Sequence, residues 1–308
     1  DLLQPLAARL AELSPAGIDT FFYANSGAEI TEAAVKLAKQ ATGRPNIIVF
    51  QGSFHGRTHQ AMAMTTSKTV YRAGHAPLPS GIFIAPYPNV RAADLHDEID
   101  RALAGFVELL TSVTAPSETA AVIIEPVLGE GGYIAAPAEF LEAIDRRCKD
   151  HGMLFIADEV QCGFGRTGKM FAIEHYDIAP DIVCMAKGIA SGFPFSALGT
   201  RRELDDRWPT GSHGGTYGGN PIATAAALGA LRVGGDVADS TSAGRSAEQV
   251  TIINPAIDYL TASEAAMVAA LAEVGIERIA NLLPLPRASL PARFGPGLLT
   301  RLDQALGR

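Results

Sequence analysis

One lysine lies at an unusual place in the chain. Lys187 follows an apolar run, Ile182–Met185, and precedes a loop that contains Gly188, Gly192 and Pro194. The run predicts a buried strand over Ile182–Ala186. Burial disfavours the charged form of an amine, so a lysine at the end of such a strand has a free-energy cost. Lys187 is therefore a candidate for chemistry.

An aspartate lies at the end of a second predicted strand. Leu154–Asp158 delivers Asp158 to its carboxyl end, 29 residues before Lys187, which is about one βαβ crossover. One interpretation is a structural ion pair, for example with Arg166. The other is a carboxylate that binds the protonated ring nitrogen of a heterocyclic cofactor. A carboxylate and an amine on nearby strand ends could hold two ends of one ring, which favours the second interpretation.

The sequence NSGAEITEAAVKLAK, residues 25–39, has a well-defined helix start. Ser26 and Glu29 form a capping box, and an apolar stripe follows at helical spacing. This pattern is typical of any well-capped helix. It also fits an anion site, because Gly27 and Ala28 leave their backbone N–H groups unobstructed at the positive end of the helix dipole.

The elements that must position these residues alternate along residues 20–200. The apolar runs predict strands at Ile47–Phe50, Ile82–Ala85, Val122–Glu125, Leu154–Asp158, Ile182–Ala186 and Ser196–Gly199. Amphipathic segments between them, such as Glu29–Gln40 and Glu139–His151, predict helices. The fold class is therefore α/β, with a mostly parallel sheet between helices. In such sheets, ligands bind beyond the carboxyl ends of the strands, where Asp158 and Lys187 are expected.

Composition limits the remaining possibilities. The chain has 308 residues, 47% of them hydrophobic, and no apolar run approaches the ~20 residues that span a bilayer. A net charge of −8 argues against a chain-wide nucleic-acid footprint. The three cysteines lack metal-ligand spacing and fit a reducing compartment, so we expect a cytoplasmic protein. The chain begins with Asp1 inside a helical pattern, so we expect that an N-terminal segment is missing.

Six motifs occur in order and together resemble a known family. They are NSGAE, FHGRT, IIEPVLGEGG, ADEVQCGFGRTG, PDIVCMAKGIASGFP and GGTYGGNP. Residues 1–231 resemble the large domain of the class III (ω-amino acid, ornithine and 4-aminobutyrate-type) aminotransferases. The resemblance implies the fold-type I scaffold, with pyridoxal 5′-phosphate as cofactor.

The resemblance also implies roles at the cofactor ring. Lys187 is similar to the lysine that condenses with the cofactor aldehyde and then transfers a proton. Asp158 would pair with the pyridinium nitrogen, and Gln161 would lie near the phenolic oxygen. Val160 and Phe54 would pack on the two faces of the ring.

Further roles follow from the same resemblance. Ser26, Gly27 and Ala28 would bind the phosphate, and Thr216 would bind it across the interface of a homodimer with a shared active site. We assign His55 to the cofactor site as a structural hydrogen-bonding residue, not a base. Among substrate-binding residues, Arg57 resembles an arginine that receives a substrate carboxylate. Glu130 resembles a gate glutamate that pairs with a second arginine.

The implied reaction is transamination between an ω-amino or α-amino acid and a 2-oxo acid such as 2-oxoglutarate. Two alternatives stay open at this point. One is racemase, mutase or decarboxylase chemistry on the same cofactor, and the other is a cofactor-binding remnant without turnover.

The resemblance ends near Leu231. Residues 232–249 predict a Gly/Ser-rich linker. The rest of residues 232–308 predicts a helical tail that is weakly similar to the helix-hairpin-helix region of Y-family DNA polymerases. Residues 277–308 carry five arginines against one glutamate and one aspartate, so any nucleic-acid contact would be weak and confined to this tail.

Overall fold

The computed structural model describes residues 2–242, and the side chains of residues 2–231. Nine strands lie in this part of the chain: β1 Thr20–Ala24, β2 Asn46–Phe50, β3 Ile82–Ala85, β4 Thr119–Ile124, β5 Val127–Leu128, β6 Ile134–Ala135, β7 Leu154–Asp158, β8 Ile182–Met185 and β9 Ser196–Thr200. The helices are α1 Leu3–Leu13, α2 Gly27–Thr42, α3 His59–Met64, α4 Leu95–Ser112, α5 Ala138–His151, α6 Arg202–Asp205 and α7 Pro221–Ser242.

Seven of these strands form one sheet in the order β1-β9-β8-β7-β4-β2-β3, and β5 pairs with β6 separately. The pairs from β8 through β7, β4 and β2 to β3 are parallel. Strand β9 is antiparallel to both β8 and β1. Two antiparallel steps make β1 run in the same direction as β8. The carboxyl ends of β1, β2, β4, β7 and β8 therefore share one edge, which confirms the predicted α/β class.

Helices cover both faces of the sheet. Helix α2 contributes Ile30, Ala34 and Leu37 to the buried cluster on one face. Helices α1, α4, α5 and α7 contribute to the larger cluster on the other face, which contains fully buried Phe106 and Phe140. With apolar cover on both sides, strand β4 is buried at all six positions, as a parallel strand between helix layers must be.

The predicted start of α2 is confirmed. The Ser26 hydroxyl accepts a hydrogen bond from the Glu29 N–H at 3.3 Å, and the Glu29 carboxylate accepts from the Asn25 N–H at 3.1 Å. The helix ends at Gly43, which adopts a left-handed conformation with φ 69°. Because β1 ends at Ala24, the N-terminus of α2 lies at the same sheet edge as the ends of the parallel strands.

Several elements differ from the sequence-based expectations; strand β4, for example, occupies Thr119–Ile124 where the apolar run predicts Val122–Glu125. Strand β1 was not predicted, although its segment TFFYA contains the apolar run Phe21–Ala24; it lies at the sheet edge, and its first four residues are only half-buried. The linker prediction for residues 232–249 is wrong for residues 232–242, which continue helix α7. Glycine costs only about 1 kcal/mol in a helix interior, so two glycines do not end a helix that is already formed. The predicted tail beyond residue 242 lies outside the described residues.

Two further features concern the cysteines and the lengths of the helices. Cys148, Cys162 and Cys184 are free and buried. Among residues 2–242, we find no helix that is long and apolar enough to cross a membrane.

Candidate functional site

A cavity of about 500 Å³ opens at the carboxyl edge of the sheet. Eleven of the twelve predicted site residues line it, namely Ser26, Gly27, Ala28, Phe54, His55, Arg57, Glu130, Asp158, Val160, Gln161 and Lys187. Thr216 is exposed and does not line this cavity. The parallel strand ends explain the convergence, since the residues come from five separate segments that all reach one edge.

Lys187 directly follows Ala186 beyond the end of β8 and begins a short 3₁₀ turn, Lys187–Ala190. Its φ of 49° lies in the left-handed region, which is uncommon for a residue with a Cβ. The side chain is exposed to the cavity, and Nζ donates a hydrogen bond to Gln161 Oε1. The expected burial of this amine is therefore wrong: the strand is buried, but the turn lifts the lysine out of the core. Strained backbone of this kind concentrates at functional sites.

Asp158 is held from both sides of its carboxylate. Oδ1 accepts from the Val160 N–H at 3.1 Å, and Oδ2 lies 2.7 Å from His55 Nδ1. The side chains of Asp158 and His55 are 3% and 0% exposed. The partner of Asp158 is thus His55, and not Arg166 as one interpretation of the sequence suggested.

His55 is fixed by its backbone as well as by Asp158. Its N–H donates to Thr65 Oγ1 at 3.0 Å, and its carbonyl accepts from Thr31 Oγ1 at 2.8 Å. The other ring nitrogen, Nε2, is buried and has no hydrogen-bond partner among the described residues. Because a carboxylate can only accept, Nδ1 carries the proton toward Asp158. His55 thus makes hydrogen bonds through its backbone and through its ring, and its role at the cofactor site stays a prediction.

The N-terminus of α2 presents free donors to the cavity. Among residues 2–242, no acceptor bonds the N–H groups of Gly27 and Ala28. A Cβ on Gly27 would lie 2.8 Å from Val160 Cγ1, so only glycine lets the helix start approach Val160 this closely. A row of free N–H groups at a helix N-terminus is suited to an anion such as phosphate.

Sequence reasoning missed Glu125, although it lies within the quoted motif IIEPVLGEGG. Glu125 follows β4, lines the cavity and is 3% exposed. Its carboxylate accepts from the Phe54 N–H at 2.8 Å and from the Gly129 N–H at 2.9 Å. Burial raises the pKa of Glu125 to about 7, and the nearby Asp158 charge acts in the same direction. Its glutamate type and strand-end position were the available signal.

Glu125 should make stability depend on pH. When folding raises the pKa of a carboxyl group, that group stabilises the folded protein at every pH below its pKa in the unfolded chain. This stabilisation is lost as the pH rises through the pKa of the group in the folded protein. We expect the wild type to lose about 3 kcal/mol of unfolding free energy relative to Glu125→Gln between pH 4.5 and about 7. Urea unfolding at several pH values measures this difference. The exposed control Glu118→Gln should show no such trend, and a pH-independent gap for Glu125→Gln would refute the expectation.

Four side chains form a mouth cluster, namely Arg57, Lys68, Tyr71 and Glu130, of which Arg57 and Glu130 line the cavity and the other two contact them. The guanidinium carbon of Arg57 lies 4.4 Å from the centroid of the Tyr71 ring and 5.7 Å from that of Phe54. Glu130 Oε2 accepts from Tyr71 Oη at 2.8 Å and from Lys68 Nζ at 3.1 Å. Lys68 and Tyr71 were not predicted, because they belong to the segment after FHGRT that carries no motif.

The cavity complements a flat, phosphorylated heterocycle. It offers a buried carboxylate for a ring nitrogen, free helix N–H groups for a phosphate and an amine for an aldehyde. Phe54 and Val160 provide apolar surface for the faces of a ring. The residues present thus fit pyridoxal 5′-phosphate, and the fit depends on donors, acceptors and close approach seen in this chain.

Comparison with known proteins agrees with this complementarity. The family model described as aminotransferase class-III matches residues 1–255. The probable 4-aminobutyrate aminotransferase of Bacillus subtilis is 39% identical over 233 residues, which are 74% of this chain and 53% of that protein. The acetylornithine aminotransferase of Methanopyrus kandleri is 42% identical over 229 residues, or 74% of this chain and 54% of the relative. The chain spans about half the length of these curated relatives.

Solved structures show the same similarity in three dimensions. The (S)-enantioselective omega-transaminase from Thermomicrobium roseum matches with a TM-score of 0.71 and 34% identity over 75% of this chain and 55% of its own. The taurine:2-oxoglutarate aminotransferase from Bifidobacterium kashiwanohense, solved with pyridoxal phosphate and glutamate, matches with a TM-score of 0.72. It is 30% identical over 78% of this chain and 56% of its own.

Proposed function

The chain belongs to the class III aminotransferase family, and we propose on this premise that it transfers an amino group between an amino acid and a 2-oxo acid with pyridoxal 5′-phosphate. The observation that carries the proposal is the meeting of Lys187 and Asp158 in one cavity with the free N–H groups of α2. Neither a structural ion pair nor a capped helix would require this convergence.

Each residue near the ring has a separate task in this proposal. When bound, the cofactor supplies an electron sink that stabilises negative charge on the substrate Cα. Asp158 keeps the ring nitrogen protonated, and His55 holds the Asp158 carboxylate in place. Lys187 would hold the cofactor through its amine and would carry a proton to and from the substrate, while Gln161 positions the lysine amine. Phe54 and Val160 fix the plane of the ring.

The phosphate group is assigned to the start of α2. Gly27 and Ala28 donate through their N–H groups, while the Ser26 hydroxyl already donates to Glu29 Oε2 at 2.9 Å and caps the helix. We assign Thr216 to the phosphate of a second copy in a homodimer. Its exposure outside the cavity supports this, as does the exposed apolar surface of Tyr217 and Ile222 beside it.

The proposed substrates carry a carboxylate. Relatives are named for 4-aminobutyrate, 5-aminovalerate and acetylornithine, and one solved relative was captured with glutamate. Among the described side chains, those of residues 2–231, no carboxylate lies within 4.0 Å of the Arg57 guanidinium. An unpaired guanidinium at the cavity mouth is suited to bidentate binding of a substrate carboxylate.

A matched pair of donors tests this function. With bound cofactor and no acceptor, 5-aminovalerate should give one equivalent of oxo product per site, whereas racemase or decarboxylase chemistry gives none. Arg57→Lys should raise KM for 5-aminovalerate about tenfold, since a bidentate charged contact is lost, and should change KM for butylamine little. Wild-type protein that binds the cofactor but forms no oxo product with any amino donor would contradict the proposal.

A further inference from the structure

Tyr71 lies at the centre of the mouth cluster and contacts its other three members. Its ring supports the Arg57 guanidinium at 4.4 Å, and its hydroxyl donates to Glu130 at 2.8 Å. The same hydroxyl lies 3.4 Å from Lys68 Nζ. The ring also meets Phe54 edge to face, with centroids 5.2 Å apart. One side chain thus connects a cation, an anion and the residue assigned to the cofactor ring.

Arg57 and Glu130 have opposite charges, line the same cavity and contact the same tyrosine, yet they are not paired with each other. Instead, Lys68 Nζ forms an ion pair with Glu130 Oε2 at a distance of 3.1 Å. Hydrogen bonds from Tyr71 and Lys68 lower the pKa of Glu130, so its charged form is the one that the cluster favours. The Glu130 carboxylate therefore has hydrogen-bond donors other than Arg57.

Aromatic support has a different consequence from an ion pair. Contact with two ring faces orients a guanidinium but uses none of its five N–H donors, as long as the rings are its only partners. No hydrogen bond joins Arg57 to the described side chains of residues 2–231, so its donors stay available for a ligand on this side of the cavity. The two rings therefore orient the Arg57 guanidinium and leave its N–H groups free to bind a ligand.

From these contacts we propose that Lys68 and Tyr71 determine specificity for carboxylate substrates. Lys68 and the Tyr71 hydroxyl hold Glu130 away from Arg57, and the Tyr71 ring directs the free guanidinium into the cavity. Both are positioning residues that act through Arg57. The inference rests on the proposed function for the identity of the substrate, but its central claim concerns carboxylate binding alone.

The decisive experiment is a double-mutant cycle between Lys68 and Glu130. Glutarate has no amino or oxo group, so calorimetry on the cofactor-loaded protein measures its binding without turnover. Lys68→Met should weaken glutarate binding about tenfold, because the released Glu130 carboxylate competes for Arg57. Adding Glu130→Gln removes the competitor and should restore binding to within about twofold of wild type.

The tyrosine is tested by two substitutions. Tyr71→Leu removes the ring and should raise KM for 5-aminovalerate between two- and fivefold more than it raises KM for butylamine. Tyr71→Phe keeps the ring and leaves Lys68 on Glu130, so its effect on KM should be smaller. A merely structural role for Tyr71 would change both donors equally.

The outcomes separate the two proposals. Failure of wild type to bind glutarate, or a Lys68→Met defect that Glu130→Gln does not relieve, overturns the inference whether or not the protein transaminates. Glutarate binding with the expected cycle but without oxo product from any donor supports the inference and contradicts the proposed function.

Discussion

Lys187→Ala is expected to lower the rate of oxo-product formation from 5-aminovalerate by at least about a thousandfold. The substitution removes both the covalent link to the cofactor and the group that carries the proton, and general acid–base catalysis alone is worth 10²–10⁴-fold. Gly27, Ala28 and Asp158 remain, so cofactor should still bind without a covalent bond. Single-turnover kinetics measure the rate, and equilibrium dialysis measures the retained cofactor.

Two variants distinguish loss of the amine from loss of charge or of fold. Lys187→Arg keeps a cation that does not deprotonate, so it should be as inactive as alanine. Lys149→Ala replaces a lysine on helix α5 whose ion pair with Asp145 is remote from the cavity, and it should leave the rate unchanged. Borohydride reduction of the wild type should fix the cofactor to the peptide that contains Lys187. Label on another lysine would show that the assignment is wrong.

The sheet could be predicted from sequence where strands are buried on both faces. Leu154–Asp158 has the same bounds in the sequence analysis and in the structure, because each of its residues is buried and apolar up to the aspartate. Strand β1 was missed although Phe21–Ala24 is a continuous apolar run, and since the half-buried edge strand β3 was predicted, its place at the sheet edge does not explain the difference. The continuation of α7 was missed because glycine and serine content indicates a linker only when no preceding helix extends into it.

The candidate site was predictable where a residue type and a strand end coincide. Lys187, Asp158 and the start of α2 satisfy this condition. The His55–Asp158 contact joins residues that are 103 positions apart, and no local pattern encodes it. Arg57 and Glu130 were predicted, but their neighbours Lys68 and Tyr71 were missed for the same reason, since Glu130 meets Tyr71 across 59 positions and Lys68 across 62. Such pairs appear only when the sheet order has placed β4 between β2 and β7.

Asp158→Asn should weaken cofactor binding and lower the single-turnover rate, each by about a thousandfold. The amide keeps the size of the side chain and can still accept from the Val160 N–H, but it carries no charge. Removing one member of a buried charged pair costs 3–5 kcal/mol, and about 4 kcal/mol corresponds to this factor. Asp158→Glu restores the charge in a displaced position and should recover part of both losses. Cofactor titration and rapid-mixing kinetics provide the two measurements.

Asp181→Asn is the matched control for this charge. Asp181 lies at the opposite end of the same strand pair, accepts from the Phe155 N–H at 2.8 Å and pairs with Arg201. Its substitution should lower the unfolding free energy and leave the cofactor dissociation constant unchanged, because Asp181 precedes β8 and the cavity lies at the other end of that strand. If both asparagine variants lose stability and only Asp158→Asn loses cofactor, the Asp158 charge acts on the ring. Equal losses of cofactor would mean that Asp158 only supports the sheet edge through His55.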